Sequence, residues 1–200
     1  SAYLTQISDQ QREVNLPSTV SGVLQLIQNT ADTDIMGLEV DGTFAISDNF
    51  TILASLGVID AEYTSVRFDL SGDGVIDSAD KDLDLPRAPE LTYSIAAIYD
   101  IEIGDLGYLS SRISYAYRDE TFFTDNNLGY ILEQEMLDIY LDFYTAGGSW
   151  TLSMYGRNLL DTVRHGGDTQ LGNIGPLPVN GTFSPLGSPA TLGFEVSYSF

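Results

Sequence analysis

Apolar and polar residues alternate with period two along much of this chain, and that pattern demands β-strands. Successive side chains of a strand point to opposite faces, so such a strand has two unlike sides. In TLGFEVSYSF, Leu192, Phe194, Val196, Tyr198 and Phe200 share one side, and Gly193, Glu195, Ser197 and Ser199 the other. In MLDIYLDFY, Leu137, Ile139, Leu141 and Phe143 oppose Asp138, Tyr140, Asp142 and Tyr144. Trp150, Leu152 and Met154 oppose Thr151, Ser153, Tyr155 and Arg157, while Leu109, Ile113, Tyr115 and Tyr117 oppose Ser110, Arg112, Ser114 and Arg118. Met36, Leu38, Val40, Phe44 and Ile46 oppose Gly37, Glu39, Asp41 and Thr43. Eight strands are predicted, over roughly residues 2–11, 24–46, 50–64, 91–102, 107–120, 132–145, 149–159 and 190–200. The first has the weakest pattern, and the second is long enough to be broken near Asn29–Asp32. No segment carries a long helical period.

Connection lengths add a second constraint. The links SDN, EIGDLG and AGGS are short and rich in turn residues. The others, 12–23, 65–90, 121–131 and 160–189, are long, and short and long strictly alternate. All seven prolines (Pro17, Pro86, Pro89, Pro176, Pro178, Pro185 and Pro189) fall in the long ones, where no ladder donor is required. In an antiparallel meander this places tight turns at one end of the sheet and long excursions at the other. An outer-membrane barrel keeps that polarity, with short periplasmic turns and long extracellular loops. Strands of about ten residues suit a tilted bilayer crossing. A soluble lipocalin-type barrel, with its apolar face inward, has the same periodicity. The aromatic weight near strand ends (Tyr115, Tyr117, Phe143, Trp150, Tyr198, Phe200) favours the girdles of a membrane barrel.

Composition narrows the function. There are 29 Asp and Glu against 8 Lys and Arg, with Lys81 the only lysine and a formal net charge of -21. Such a chain lacks the clustered cations that nucleic-acid binding needs. The absence of cysteine excludes disulfides, thiolate metal sites and a cysteine nucleophile. The chain starts at Ser1, and nothing there resembles a signal peptide, so the expectation is a mature start or a fragment.

Several stretches, in order, resemble the C-terminal part of a TonB-dependent outer-membrane receptor. ADTDIMGLEVDGTFAISDNFTILASLGVIDAEY resembles its GxE strand, turn and following strand. LPRAPELTYSIAAIYDI resembles the L-P-x-x-P return into the barrel. WTLSMYGRNLLD resembles the penultimate strand with its N-L-x-D ending at Asn158, Leu159, Leu160 and Asp161. LGFEVSYSF resembles the final strand. The resemblance implies an all-β, antiparallel up-and-down transmembrane β-barrel, with residues 1–200 as the last eight strands of a 22-strand barrel domain. It implies a location in the outer membrane of a Gram-negative bacterium, with lipid against the apolar face. The implied activity is uptake of a scarce ligand (siderophore, cobalamin or carbohydrate), energised by TonB through a plug domain absent from this chain. It also implies that the alternating Phe194, Val196, Tyr198 and Phe200 are read by the barrel-assembly machinery. Glu39, Asp41, Arg112, Arg118, Asp138, Asp142 and Arg157 would face inward, toward water or the plug. The alternative is a small stand-alone eight-strand outer-membrane barrel with a structural or adhesive role.

One stretch belongs to neither pattern. DLSGDGVIDSAD, Asp69 to Asp80, fits the twelve-residue spacing of an EF-hand or dockerin-like calcium loop. Asp69, Ser71 and Asp73 stand at positions 1, 3 and 5, and Val75 offers its carbonyl at 7. Asp77 stands at 9 and Asp80 at 12. Gly74 permits the turn, and Ile76 is expected as the apolar anchor. A helix after the loop is confined to Ser78–Leu85, since Pro86 ends it. Calcium, ordering the loop, is therefore the one cofactor expected, at the weak affinity of extracellular modules.

No enzyme is expected. The only histidine, His165, has just Asp161 and Asp168 near it in sequence, and neither a G-x-S-x-G nucleophile nor a nucleotide loop occurs. Phe122, Phe123 and Tyr130 are plausible ligand contacts in the loop 121–131, or girdle aromatics. The transported ligand itself is unknown from this sequence.

Overall fold

The computed structural model describes residues 1–18, 22–164, 169–171 and 181–200, and side chains for 1–14, 24–164 and 184–200. Twelve strands occur among them: β1 (Ala2–Ser18), β2 (Gly22–Ser47), β3 (Phe50–Val66), β4 (Leu91–Ile103), β5 (Gly107–Arg118), β6 (Thr121–Phe122), β7 (Tyr130–Ile131), β8 (Gln134–Thr145), β9 (Trp150–Arg157), β10 (Thr169–Leu171), β11 (Gly181–Phe183) and β12 (Thr191–Tyr198). Eight form one sheet in the order β1-β2-β3-β4-β5-β8-β9-β12. The order does not return to β1, so the barrel is not closed by these strands. β6-β7 and β10-β11 are small hairpins inside the long connections. No helix among the described residues is long and apolar enough to cross a membrane, which says nothing of crossing by strands.

All eight predicted strands are present, but the first two are longer than their patterns. Residues 12–18 and 22–23, expected as loop, continue β1 and β2 as a paired ribbon, with Asn15 opposite Gln25 and Pro17 opposite Val23. β2 is unbroken at Asn29–Asp32. The irregularity lies in β1, where the register shifts between Ile7 and Gln10 and again between Gln10 and Gln11. Such an insertion bends a strand without ending it. Pro17 therefore sits in a strand, where the edge position of β1 tolerates its missing donor.

The contacts divide the chain into two units, one of Ser1–Leu38, Ile59–Glu90 and Thr121–Ile131, the other of Glu39–Val58, Leu91–Glu120 and Leu132–Phe200. In the second unit, cross-strand pairing assigns the faces residue by residue. Thr51, Ile98, Arg112, Tyr140, Tyr155 and Gly193 make one continuous row. Asp100, Ser110, Asp142, Ser153 and Glu195 make another on the same face. The opposite face carries rows such as Tyr99, Ser111, Leu141, Met154 and Phe194. Large apolar side chains on that face stay exposed, Leu192 at 80% and Phe194 at 65%. An exposed apolar face of this extent marks a surface that meets a partner or a membrane.

Aromatics bound the exposed face at both strand ends. Tyr93 stacks on Tyr117 with centroids 5.0 Å apart, and Tyr115 lies 6.1 Å from Tyr93. At the other end Trp150 packs on Tyr198 at 4.7 Å, and Phe200 meets Tyr198 edge-on at 5.1 Å.

On the polar face two tyrosines lie flat over glycines. A Cβ at Gly193 would stand 2.0 Å from the Tyr155 ring, and one at Gly37 would stand 2.4 Å from the ring of Tyr3. Tyr155 so placed receives the Arg157 guanidinium 4.7 Å from its centroid, a cation–π contact. Gly193→Ala is expected to push the Tyr155 ring off the strand and cost about 1–2 kcal/mol. A double-mutant cycle of thermal unfolding should show most of that loss vanishing in a Tyr155→Ala background.

Candidate functional site: the loop assembly beside strands β1 to β3

The first unit has a small core of its own. Ala31, Tyr63, Leu70 and Leu85 are buried together, and Ile35, Ala61, Val66, Phe68, Leu83 and Ala88 pack against them. Strand residues and residues of the connection 67–90 thus share one cluster. Burial of these apolar side chains holds the connection down, at about 25 cal/mol per Å² removed from water. The α-helix α1 spans only Ser78–Lys81, shorter than the Ser78–Leu85 predicted. The reason is visible in spacing: Leu83 and Leu85 both reach the cluster, two residues apart, which extended backbone allows and a helix does not.

Polar contacts complete this unit. The Tyr63 hydroxyl, fully buried, accepts from Arg12 Nη2 at 3.1 Å. Arg12 also forms an ion pair with Asp125. The Asp84 amide donates to Asn127 Oδ1 at 2.8 Å, and Asn127 Nδ2 donates back to the Asp84 carbonyl at 3.0 Å. The Arg87 amide donates to the Phe122 carbonyl at 2.7 Å. Two long connections are therefore fastened to each other. Phe122 pairs with Tyr130 in the β6-β7 hairpin. Tyr130 is exposed, Phe122 is half-buried, and the Phe123 ring covers Gly129. Of the predicted ligand-contacting aromatics, Tyr130 is the most accessible.

A second tie gathers on Asp32. Its carboxylate accepts both guanidinium nitrogens of Arg67 at 2.9 and 2.5 Å, the Ser65 hydroxyl at 2.7 Å and the Asp9 amide at 2.7 Å. The Arg67 fork above all, then Ser65 and Asp9, hold this carboxyl well below the usual carboxylate range.

The twelve-residue loop 69–80 is closed by its own first and last acids. Asp69 accepts from the amides of Gly72, Asp73 and Gly74 and from the Ser71 hydroxyl. Partial desolvation raises the Asp69 pKa, but these donors outweigh it and the net shift is downward. Asp80, fully buried, accepts the Ser71 amide on one oxygen and the Asp77 amide on the other. Asp77 caps α1 through Ala79, and Asp73 accepts from Val75. Gly72 and Gly74 take φ of +81° and +90°, the left-handed region where glycine is free of strain. Ile76, the expected anchor, is instead 54% exposed; Leu70 and Leu85 fill the core in its place. Among the described residues no group of three or more His, Cys, Asp or Glu side chains is arranged to hold a metal ion. Asp80 holds one donor on each oxygen and Asp69 a single donor on Oδ2, so carboxylate lone pairs remain at both ends of the loop.

In the second unit, the N-L-x-D stretch has a structural role that its spacing did not reveal. Asn158 adopts φ +51° and is 2% exposed. Its side chain donates to the carbonyls of Thr162 and Ser188 and accepts the Thr162 amide. Its own amide donates to Asp138, and Asp161 accepts the Ala190 amide. Outgoing and returning strands of the last long connection are clamped here. The signal was an asparagine at a strand exit, a residue that tolerates left-handed backbone. His165 and Asp168 lie outside the described residues. Phe194, Val196, Tyr198 and Phe200 are all exposed, three of them along β12 at the end of the sheet order.

Asp32 is expected to stay ionised at pH 3, below the ordinary aspartate value of about 3.9. Its folded-state pKa is depressed, so the tie contributes stability above the unfolded-state pKa. That contribution is lost only as pH falls through the lower folded-state value. Carboxyl ¹³C shifts followed against pH would reveal this, and Arg67→Met should return the Asp32 midpoint toward 3.9.

The family model described as TonB dependent receptor-like, beta-barrel matches residues 1–159. Among solved structures, the ferric yersiniabactin uptake receptor FyuA from Yersinia pestis is similar, at 17% identity and a TM-score of 0.74; the match covers 100% of this chain and 27% of that one. BauA, the ferric preacinetobactin receptor from Acinetobacter baumannii, gives 15% identity and a TM-score of 0.66, covering 100% and 26%. The copper transporter OprC gives 18% identity and a TM-score of 0.62, covering 100% and 29%. The chain thus spans about a quarter of the length of these structures. No curated protein matches its sequence. With the family matched over most of its length and the strand order in place, this chain belongs to the TonB-dependent receptor β-barrel family.

Proposed function

We propose that this chain is the C-terminal wall of an outer-membrane transporter of a Gram-negative bacterium, taking up a scarce ligand with energy relayed by TonB through a plug domain. The observation that carries this reading is the exposed apolar face of the eight-stranded sheet, banded by aromatics at both strand ends, in a chain of this family. Lipid would cover that face, and the face of Arg112, Asp138, Asp142 and Arg157 would line the interior. The long connections would stand outside the cell, with Tyr130 among the ligand contacts. Similar structures include receptors for ferric yersiniabactin and ferric preacinetobactin and a copper transporter, which favours a ferric siderophore or copper over cobalamin or carbohydrate. Phe194, Val196, Tyr198 and Phe200 would be read by the barrel-assembly machinery. The alternative of a self-contained eight-strand barrel fits less well, since β12 does not neighbour β1 in the sheet order.

The test is uptake by cells carrying the full receptor chain. Accumulation of radiolabelled iron offered as a panel of ferric siderophores, and of copper, should exceed that of cells without the receptor. A protonophore or loss of TonB should remove the excess. Uptake unaffected by either would overturn the transporter reading.

The loop 69–80 is proposed to bind calcium weakly, through Asp69, Ser71, Asp73, the Val75 carbonyl, Asp77 and Asp80. Its spacing and the left-handed Gly74 support this. Calorimetry with the full chain should give a dissociation constant of about 10⁻⁴ to 10⁻³ M, lost in Asp73→Ala. Absence of heat with calcium, and of sensitised terbium emission, would sink the proposal.

A further inference from the structure

Arg118 ends β5 on the polar face. Its cross-strand neighbours are Thr92 on β4 and Gln134 on β8, and Thr92 in turn pairs with Gly57. Arg118 Nε and Nη2 and Gln134 Nε2 are shut off from solvent, yet none has a hydrogen-bond partner. Three donors without a partner thus gather at adjacent positions of one row. Native proteins seldom leave a buried donor unmade, because each such group costs about 1–3 kcal/mol, and more when charged.

Shortage of carboxylates inside the chain does not explain the gap, since acids outnumber Lys and Arg by 29 to 8. Geometry does. Glu135 lies opposite Tyr117 and so points to the other face. There the Tyr115 hydroxyl donates to Glu135, and the Tyr117 hydroxyl donates to Asp119 and Glu133. The carboxylates of Glu135, Asp119 and Glu133 are thus engaged by tyrosines, and the arginine fork is left for something else. Gly57, at the far end of the row, puts no side chain there.

We propose that Arg118 and Gln134 form a binding site for a carboxylate group supplied from outside this chain. A guanidinium presents paired N–H groups that match the two oxygens of a carboxylate, and the Gln134 amide adds a third donor. The carboxylate has two possible sources, a free carboxylate ligand or an acidic side chain of another segment of the same receptor. The site does not rest on the transport reading, because neither of the readouts below is uptake.

The experiment uses the full receptor chain in detergent, wild type against Arg118→Met, Arg118→Lys and Gln134→Leu. Methionine keeps much of the apolar stem and removes the donors, while lysine keeps the charge and removes the fork. Citrate is titrated by calorimetry, and hydrogen exchange is followed in residues 114–118 and 132–136. For a free ligand, citrate binds the wild type, Arg118→Met weakens it at least tenfold, and Arg118→Lys falls between. For an internal carboxylate, citrate gives no heat, and exchange in these two segments alone is at least tenfold faster in Arg118→Met. Arg118→Lys again falls between, which mere packing by the stem would not produce. If Arg118→Met does not fold, as judged by heat-modifiable gel mobility, Gln134→Leu carries the same two readouts with losses of at least threefold. Wild type and variants alike in both citrate binding and exchange would overturn the proposal.

Discussion

Every polar backbone group of a strand must find a partner, and in this chain strands find it in their sequence neighbours. The order β1-β2-β3-β4-β5-β8-β9-β12 contains no crossover. Once that ladder is set, alternation decides the rest. Each residue is committed to one of two faces by its parity, and a slip by one position would exchange Arg112 for Ile113. The apolar rows on one side and the rows of Asp, Ser, Tyr and Arg on the other follow from the register. So do the glycines that let Tyr3 and Tyr155 lie flat.

This dependence explains why most of the sheet was legible in the sequence. β8, β9 and β12 announce themselves through strict alternation, and their faces were assigned correctly residue by residue. The paired extension of β1 and β2 was not legible. Residues 11–18 mix Gln, Arg, Glu, Asn and Pro with Val and Leu, and partners on the neighbouring strand, invisible to a local pattern, make them a ribbon. Tertiary context overrode the local signal there, as it commonly does for strands.

The loop assembly was half legible. The spacing of Asp69 to Asp80 identified a compact loop, and its first and last acids do close it. Ile76 does not anchor the loop, because α1 is shorter than the spacing predicts. With α1 only one turn, Leu83 and Leu85 continue as extended chain and take the interior. The contacts of Arg12 with Tyr63, and of Asn127 with Asp84, join residues 51 and 43 positions apart, beyond any motif. Asn158 lies within a motif that identifies the family, yet its bonds to Thr162 and Ser188 join residues 4 and 30 positions apart.

Those ties within the connections bear on how the sheet assembles. A meander grows by adding each strand to an edge its predecessor has just offered, so no distant pairing need be awaited. The connection from β3 to β4 is one of the long spans at which such growth would slow. Closing a flexible span costs entropy, though only as the logarithm of its length. Here the span carries its own capped turn and apolar cluster, and the next connection is stitched to it through Asn127. The chain that must be closed is shorter in effect than its residue count. The long connections thus serve as folded hinges that present β4 to the waiting edge of β3.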